Sequence, residues 1–209
     1  MKNFLKMLKA MGLSLIKKSR HEFAIYFGVP GSGKTTFAAW LSKKRTKRGG
    51  RVYSNVPIKG TYSIDAVRDI GKHEIRDGTL IIDEAGIEYN NRKFKTFSDE
   101  ATYFYKFHRH YKMDVFVFSQ GFDDMDKKLR ILATSLYVVR KSLIPFMVYR
   151  YRISKKVGIN ELTKEICDEY FKVPFSRKYI FTPLLWSSFD SYAVKELPRV
   201  KFPLWDEVV

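Results

Sequence analysis

The residues Gly28-Val29-Pro30-Gly31-Ser32-Gly33-Lys34-Thr35 fill every position of the phosphate-binding pattern G-x-x-x-x-G-K-[ST]. A polyphosphate is held by backbone N–H groups that converge on it, and Gly28, Gly31 and Gly33 leave room for that approach. Pro30 and Ser32 complete the turn, and Lys34 is placed to reach the β- and γ-phosphates of ATP. The Thr35 hydroxyl can enter a Mg²⁺ shell, and Thr36 opens a helix whose free N–H groups add to the anion site.

A second group of residues suits the same chemistry. Thr79-Leu80-Ile81-Ile82 is an apolar run that ends in Asp83-Glu84. Apolar runs of this kind are buried strands of a parallel sheet, and ligands of such sheets bind at the carboxyl edge. Asp83 is therefore the second expected metal residue, with Thr35, and Glu84 the expected base for the attacking water. The run Asp114-Val115-Phe116-Val117-Phe118-Ser119-Gln120 ends in the same way, which puts Gln120 where it can sense the γ-phosphate or its water. Hydrolysis in ring ATPases is commonly completed by an arginine from a neighbouring subunit. Arg92, Arg130 and Arg140 are the candidates, each near a carboxyl-edge loop or an adjacent strand, and Arg130 is carried with Glu84, Lys34 and Gln120 in the catalytic set.

These residues need a strand before the loop, Phe23 to Phe27, and a helix after it, running through Leu41 to a basic end and Gly49-Gly50. Arg51 to Val56 reads as the next strand, and Ser63 to Arg76 as one or two short helices. From Phe94 to Tyr111, Phe97, Ala101, Phe104, His108 and Tyr111 fall on one face of a long helix. His108 and His110, two apart, do not share a helix face, which argues against a metal pair. Asp123 to Leu132 reads as a helix, and Ser135 to Arg140 and Phe146 to Ile153 as strands joined near Pro145. The expected fold is α/β: a P-loop NTPase with a mainly parallel sheet flanked by helices, an added antiparallel edge hairpin and an extended C-terminal tail. Residues 1–20 are expected as a basic amphipathic helix, 21–155 as the ATPase domain, and 156–209 as a helix over Asn160 to Phe171 followed by a Pro- and aromatic-rich tail packed on the domain or a neighbour.

At 209 residues, with 45% hydrophobic and 16% aromatic residues, the chain can bury the core of one such domain. Lys and Arg number 39 against 22 acids, a net charge of +17, which points to nucleic acid, anionic lipid or both. A single cysteine, Cys167, excludes an internal disulfide framework and is consistent with a reducing, cytoplasmic compartment. No uncharged run approaches the roughly 18 residues of a bilayer span, so no transmembrane helix is expected. The stripe Phe4, Leu8, Met11, Leu15, set among Lys2, Lys6, Lys9, Lys17, Lys18 and Arg20, suits either an anionic membrane surface, a partner or packing on the domain.

The phosphate loop, Val52-Tyr53-Ser54-Asn55-Val56, Leu80-Ile81-Ile82-Asp83-Glu84-Ala85, and above all Phe107-His108-Arg109-His110 before the strand ending Ser119-Gln120, resemble the zonular occludens toxin (Zot) family, the assembly ATPases of filamentous phages. The resemblance covers about residues 22 to 142. It implies a relative of the HerA-FtsK DNA-translocating ATPases: an oligomeric, Mg²⁺-dependent ATPase on the cytoplasmic face of the host inner membrane that helps extrude phage DNA with an inner-membrane assembly protein. Many members continue into a transmembrane helix and an external domain, and this sequence shows neither. Rival readings are a soluble DNA-packaging or translocating ATPase, a small-molecule phosphotransferase, and a nucleotide-gated assembly factor without turnover.

Overall fold

The computed structural model describes residues 21–83, 98–122, 125, 127–159 and 166–190. Its centre is a nine-stranded sheet of β1 (Phe23–Phe27), β2 (Arg51–Ser54), β3 (Tyr62–Ser63), β4 (Gly78–Ile82), β5 (Met113–Ser119), β6 (Ser135–Lys141), β7 (Met147–Ile159), β8 (Ile166–Lys172) and β9 (Lys178–Phe181). Among the described residues three α-helices accompany it: α1 (Lys34–Thr46), α2 (Asp99–Phe107) and α3 (Lys127–Leu132). The strand order is β3-β2-β4-β5-β1-β6-β7-β8, with β9 also paired to β7. From β3 to β6 every pairing is parallel, and those of β7 with β6, β8 and β9 are antiparallel. The mainly parallel sheet with an antiparallel edge is therefore the architecture observed.

The apolar runs are buried on both faces because helices cover both. Phe23, Ile25, Leu80, Ile82, Val115 and Val117 point to one side, where Ala101, Phe104 and Tyr105 of α2 and Leu129 of α3 meet them. Their neighbours Ala24, Tyr26, Ile81, Phe116 and Phe118 point to the other, against Phe37, Ala38 and Leu41 of α1. Each fully buried side chain of this size contributes about 1.5–3 kcal/mol, so β1 and β5, buried almost throughout, form the rigid base of the phosphate loop. On the α1 side the Tyr26 ring stacks between Phe118 and Tyr137, at centroid distances of 4.8 and 4.9 Å.

Helix α2 begins at Ser98, whose hydroxyl accepts the Ala101 N–H at 3.2 Å, with Asp99 and Glu100 in its first turn. It ends at Phe107, short of the expected Tyr111, because the chain turns back and the Met113 N–H bonds the His108 carbonyl. Ala101, Phe104 and His108 are buried on the expected face.

Two expected helices are corrected. Ser63 to Arg76 forms turns after the short strand β3, because Asp side chains capture the backbone donors a helix would use. Asp65 Oδ1 accepts the N–H groups of Val67 and Arg68, and Asp69 Oδ2 accepts that of Asp65. The helix expected over Asn160 to Phe171 is instead, where described, strand β8, paired along β7 from Ile153↔Lys172 to Ile159↔Ile166. Strand β7 thus runs through the domain boundary expected at residue 155. The tail beyond Val173 adds β9 and a 3₁₀ segment, Thr182–Ser188, which opens on Pro183 and buries Leu185 against α1. The amphipathic segment 1–20 lies outside the described residues.

Candidate nucleotide site

The loop from Gly28 to Gly33 leaves the carboxyl end of β1, between β5 and β6, and runs straight into α1. Glycine is required at both ends. A Cβ on Gly28 would lie 2.4 Å from the Val139 carbonyl oxygen, and one on Gly33 would lie 2.6 Å from a Val148 methyl. Gly33 also has φ of +96°, in the left-handed region that other residues avoid.

No side chain caps the start of α1 and its first turn holds no acid, so the helix presents its N–H groups to the loop. Lys34 is 6% exposed, and its ammonium donates to the carbonyls of Gly28 at 2.8 Å and Val29 at 3.3 Å, folded over the loop. The Thr36 backbone follows in the first turn of α1, and Ser32 is buried beneath the loop while Pro30 and Gly31 are exposed.

The Thr35 hydroxyl donates to Asp83 Oδ2 at 2.7 Å, so the two expected metal residues meet although they are far apart in sequence. Asp83 is 2% exposed at the end of β4. Its backbone is clamped by Asn55: the Asp83 N–H donates to Asn55 Oδ1 at 2.8 Å, and Asn55 Nδ2 donates to the Asp83 carbonyl at 2.9 Å. Asn55 was not singled out as a site residue from the sequence. Its signal was weaker than that of Asp83 or Gln120, a polar residue directly after a strand, Arg51–Ser54, that is itself half polar.

A cleft of about 630 Å³ opens beside the loop, lined by Phe27 to Ser32, Gln120, Val138, Val139, Arg140, Lys141 and Tyr151. Gln120 therefore shares the loop's cleft, as the end of β5 required. Arg140 shares it too, with Lys141, a cation absent from the sequence-based set. Arg130 does not: it lines a separate groove with Thr134, Arg152 and Tyr170, its guanidinium 5.0 Å from the Phe122 ring. Glu84 and Arg92 lie outside the described residues.

His108 and His110 do not form a metal pair. The His108 ring is buried, donates from Nδ1 to the Tyr105 carbonyl at 2.8 Å and packs edge-on against Phe23, while His110 is exposed. Among the described residues no cluster of three or more His, Cys, Asp or Glu is built to hold a metal. The donors at hand, a hydroxyl and a carboxylate side by side, suit a hard cation completed by phosphate and water oxygens.

No curated protein matches the sequence. Among solved structures, the fold is similar to the N-terminal domain of zonular occludens toxin from Neisseria meningitidis, with a TM-score of 0.53 and 18% identity over 82% of this chain and 100% of that one. It also aligns with the genome packaging NTPase B204 from Sulfolobus turreted icosahedral virus 2 in complex with AMP, with a TM-score of 0.47 and 10% identity over 73% of this chain and 98% of that one. At 18% identity the likeness to the Neisseria domain is one of fold. The family profile of the zonular occludens toxin (Zot) matches residues 58–181, starting after the phosphate loop and running from the turn before β3 through β9. That match takes in more than half of the sequence, including the acidic strand, the His-Arg-His segment and the Gln-ended strand, and the chain belongs to the Zot family.

Proposed function

We propose that this protein is an ATPase of phage assembly, which couples hydrolysis to export or movement of the phage genome as an oligomer at the cytoplasmic face of the host inner membrane. The observation that carries the enzymatic part is the 2.7 Å contact of Thr35 with Asp83 beside a complete phosphate loop. In this reading the loop N–H groups and the start of α1 bind the triphosphate, and Lys34 exchanges the Gly28 and Val29 carbonyls for phosphate oxygens. Thr35 and Asp83 would hold Mg²⁺, which when bound offsets charge on the β- and γ-phosphates. Asn55 keeps Asp83 in place, Gln120 orients the attacking water, and Glu84, next to Asp83 in the chain, accepts its proton. Arg140 and Lys141 add positive charge along the cleft. Arg130, outside that cleft, can act on a phosphate only if a neighbouring subunit presents it.

In this reading the basic stripe of residues 1–20 or a partner supplies the membrane contact. No helix among the described residues is long and apolar enough to cross a membrane. The test is ATP turnover, measured alone, with single- or double-stranded DNA, and with anionic vesicles. Hydrolysis should need Mg²⁺ and fall roughly 10²-fold or more in Lys34→Ala, the loss expected for a transition-state donor. Glu84→Gln should bind ATP normally and turn it over slowly. Wild-type turnover in Lys34→Ala would reject the site. DNA stimulation with no response to vesicles would favour a soluble packaging role over the membrane one.

A further inference from the structure

The hairpin that joins β6 to β7 ends in an apolar tip, Leu143-Ile144-Pro145-Phe146, at the carboxyl edge of the sheet, where Val148 abuts the phosphate loop at Gly33. Leu143 is fully exposed, and Ile144, Phe146, Leu184 and Trp186 are exposed by 58–67%. The tip and the 3₁₀ segment meet. The Phe146 and Trp186 rings lie edge to face at 5.9 Å, and the Phe146 carbonyl accepts both the N–H and the hydroxyl of Thr182. Large apolar side chains exposed singly are ordinary, whereas a contiguous group marks a contact surface.

The fold gains little from these side chains. Phe146 has φ of +60°, in the left-handed region that Gly or Asn occupies at lower cost, and the Trp186 ring it touches is itself exposed. The backbone of the tip, in contrast, is largely paired within the protein. The Ile144 N–H donates to the Ser142 hydroxyl at 3.1 Å, the Met147 N–H to the Ile144 carbonyl at 3.3 Å and the Ser142 N–H to the Met147 carbonyl at 2.9 Å, while Pro145 has no N–H to satisfy. A turn paired in this way leaves water at lower cost than one whose donors depend on water.

The elements behind the tip are basic. Helix α1, residues 135–159 and residues 173–189 contain no Asp or Glu. Lys141 is exposed at the base of the tip, and Lys43 of α1 reaches the patch, its ammonium donating to the Leu184 carbonyl at 2.9 Å. The next acid in the chain, Asp190, follows Phe189, which bridges to Ile58. A second copy docked two-fold on this surface would set these cations against each other. A phosphodiester backbone offers nothing apolar to Leu143 and Ile144. An anionic lipid surface matches both features, since apolar side chains enter the acyl boundary, aromatic rings sit at headgroup depth and lysines meet lipid phosphates. We propose that the β6–β7 tip, with Leu184 and Trp186, docks on an anionic lipid surface. This deepens the membrane part of the function proposed above and rests on that part alone, adding a contact built into the ATPase fold to that of residues 1–20 or a partner.

The test is flotation of the full chain with phosphatidylcholine vesicles that contain or lack phosphatidylglycerol. Wild type should float with the anionic vesicles, and Leu143→Ser with Ile144→Ser should weaken that binding roughly tenfold or more. Phe146→Gly should also weaken it while the thermal midpoint stays level or rises, because glycine relieves the left-handed backbone. A ring needed only for packing would lower the midpoint instead. Trp186→Phe keeps an apolar ring and should still float, but the blue shift of tryptophan emission on adding vesicles should shrink. Wild-type flotation in both the serine pair and Phe146→Gly would overturn the proposal. So would tip variants that change the mass in light scattering without lipid and leave flotation intact, which would make the patch a subunit interface. If the serine pair fails to melt cooperatively, Phe146→Gly decides the matter. Flotation lost only on deletion of residues 1–20 overturns the tip and keeps the membrane role, whereas a wild type that never floats removes both.

Discussion

Single residues hold the nucleotide site together through constraints that cannot be relaxed one at a time. At Gly33 the backbone is left-handed, with φ of +96°, and the Val148 side chain fills the space a Cβ would take. Gly33→Ala should therefore weaken ATP-analogue binding strongly and lower stability by about 1–2 kcal/mol from the backbone term alone. Adding Val148→Ala removes the 2.6 Å methyl contact but keeps the Cβ at 3.2 Å and the backbone strain, so the double variant should recover binding in part and never fully, as read by nucleotide titration. Away from the site, burial beside Phe23 holds the His108 imidazole below the usual histidine range, and Arg109 adds to that effect. A group whose folded pKa is depressed is protonated more readily in the unfolded chain. The stability tied to neutral His108 is therefore present above about pH 6.5 and is lost as pH falls below it. Urea melts between pH 7.5 and 5 should show a steeper acid loss in the wild type than in His108→Gln, which keeps a donor for the Tyr105 carbonyl. Parallel curves would mean that His108 does not titrate in this range.

At the change from parallel to antiparallel pairing, one guanidinium adds to the β6–β7 ladder. Arg150 of β7 lies 3.7 Å from the Tyr137 ring centre and 5.6 Å from that of Tyr26, while its Nε has no hydrogen-bond partner among the described residues. The rings are thus its main hold, and they tie the edge ribbon to the strand that carries the phosphate loop. Arg150→Met keeps the length and loses the cation, so it should cost about 0.5–2 kcal/mol in urea denaturation. An unchanged midpoint would show that packing of the side-chain stem suffices. The same ribbon places Val148 against Gly33 and Tyr151 in the nucleotide cleft, so loosening it should raise the KM for ATP before it unfolds the domain.

At the scale of the molecule, the net charge of +17 is carried by 39 Lys and Arg against 22 acids. Six cations lie within residues 1–20 beside the stripe Phe4, Leu8, Met11 and Leu15. If this segment lies on an anionic leaflet, each cation adds about 1 kcal/mol near the surface and the stripe adds apolar burial. Vesicle flotation should then drop when residues 1–20 are deleted or when Leu8 and Leu15 become Asp, with lipid-free ATPase activity little changed. Deletion that unfolds a protein with no lipid binding would assign the stripe to packing, and the membrane role would pass to a partner.

The phosphate loop, Asp83 and Gln120 were legible in the sequence because their chemistry needs neighbours in the chain: an apolar strand, then a polar end, then a turn or helix. The mainly parallel sheet was legible for the same reason, since strands buried on both faces read as unbroken apolar runs such as Val115 to Phe118. Strand β8 was not, because Ile-Cys-Asp-Glu-Tyr-Phe-Lys shows no clean alternation and forms a strand by pairing with β7. Turns replaced helix after Ser63 because the Asp65 and Asp69 side chains compete locally for N–H groups, a balance that composition does not settle. Sequence alone determined which residues carry the phosphate-loop pattern and which strands end in acidic or amide side chains. Only the tertiary structure decided that β2 lies beside β4, which brings Asn55 onto Asp83, and that α1 lies over β4 so that Thr35 reaches the same carboxylate. Those contacts join residues whose separation along the chain carries no local signal.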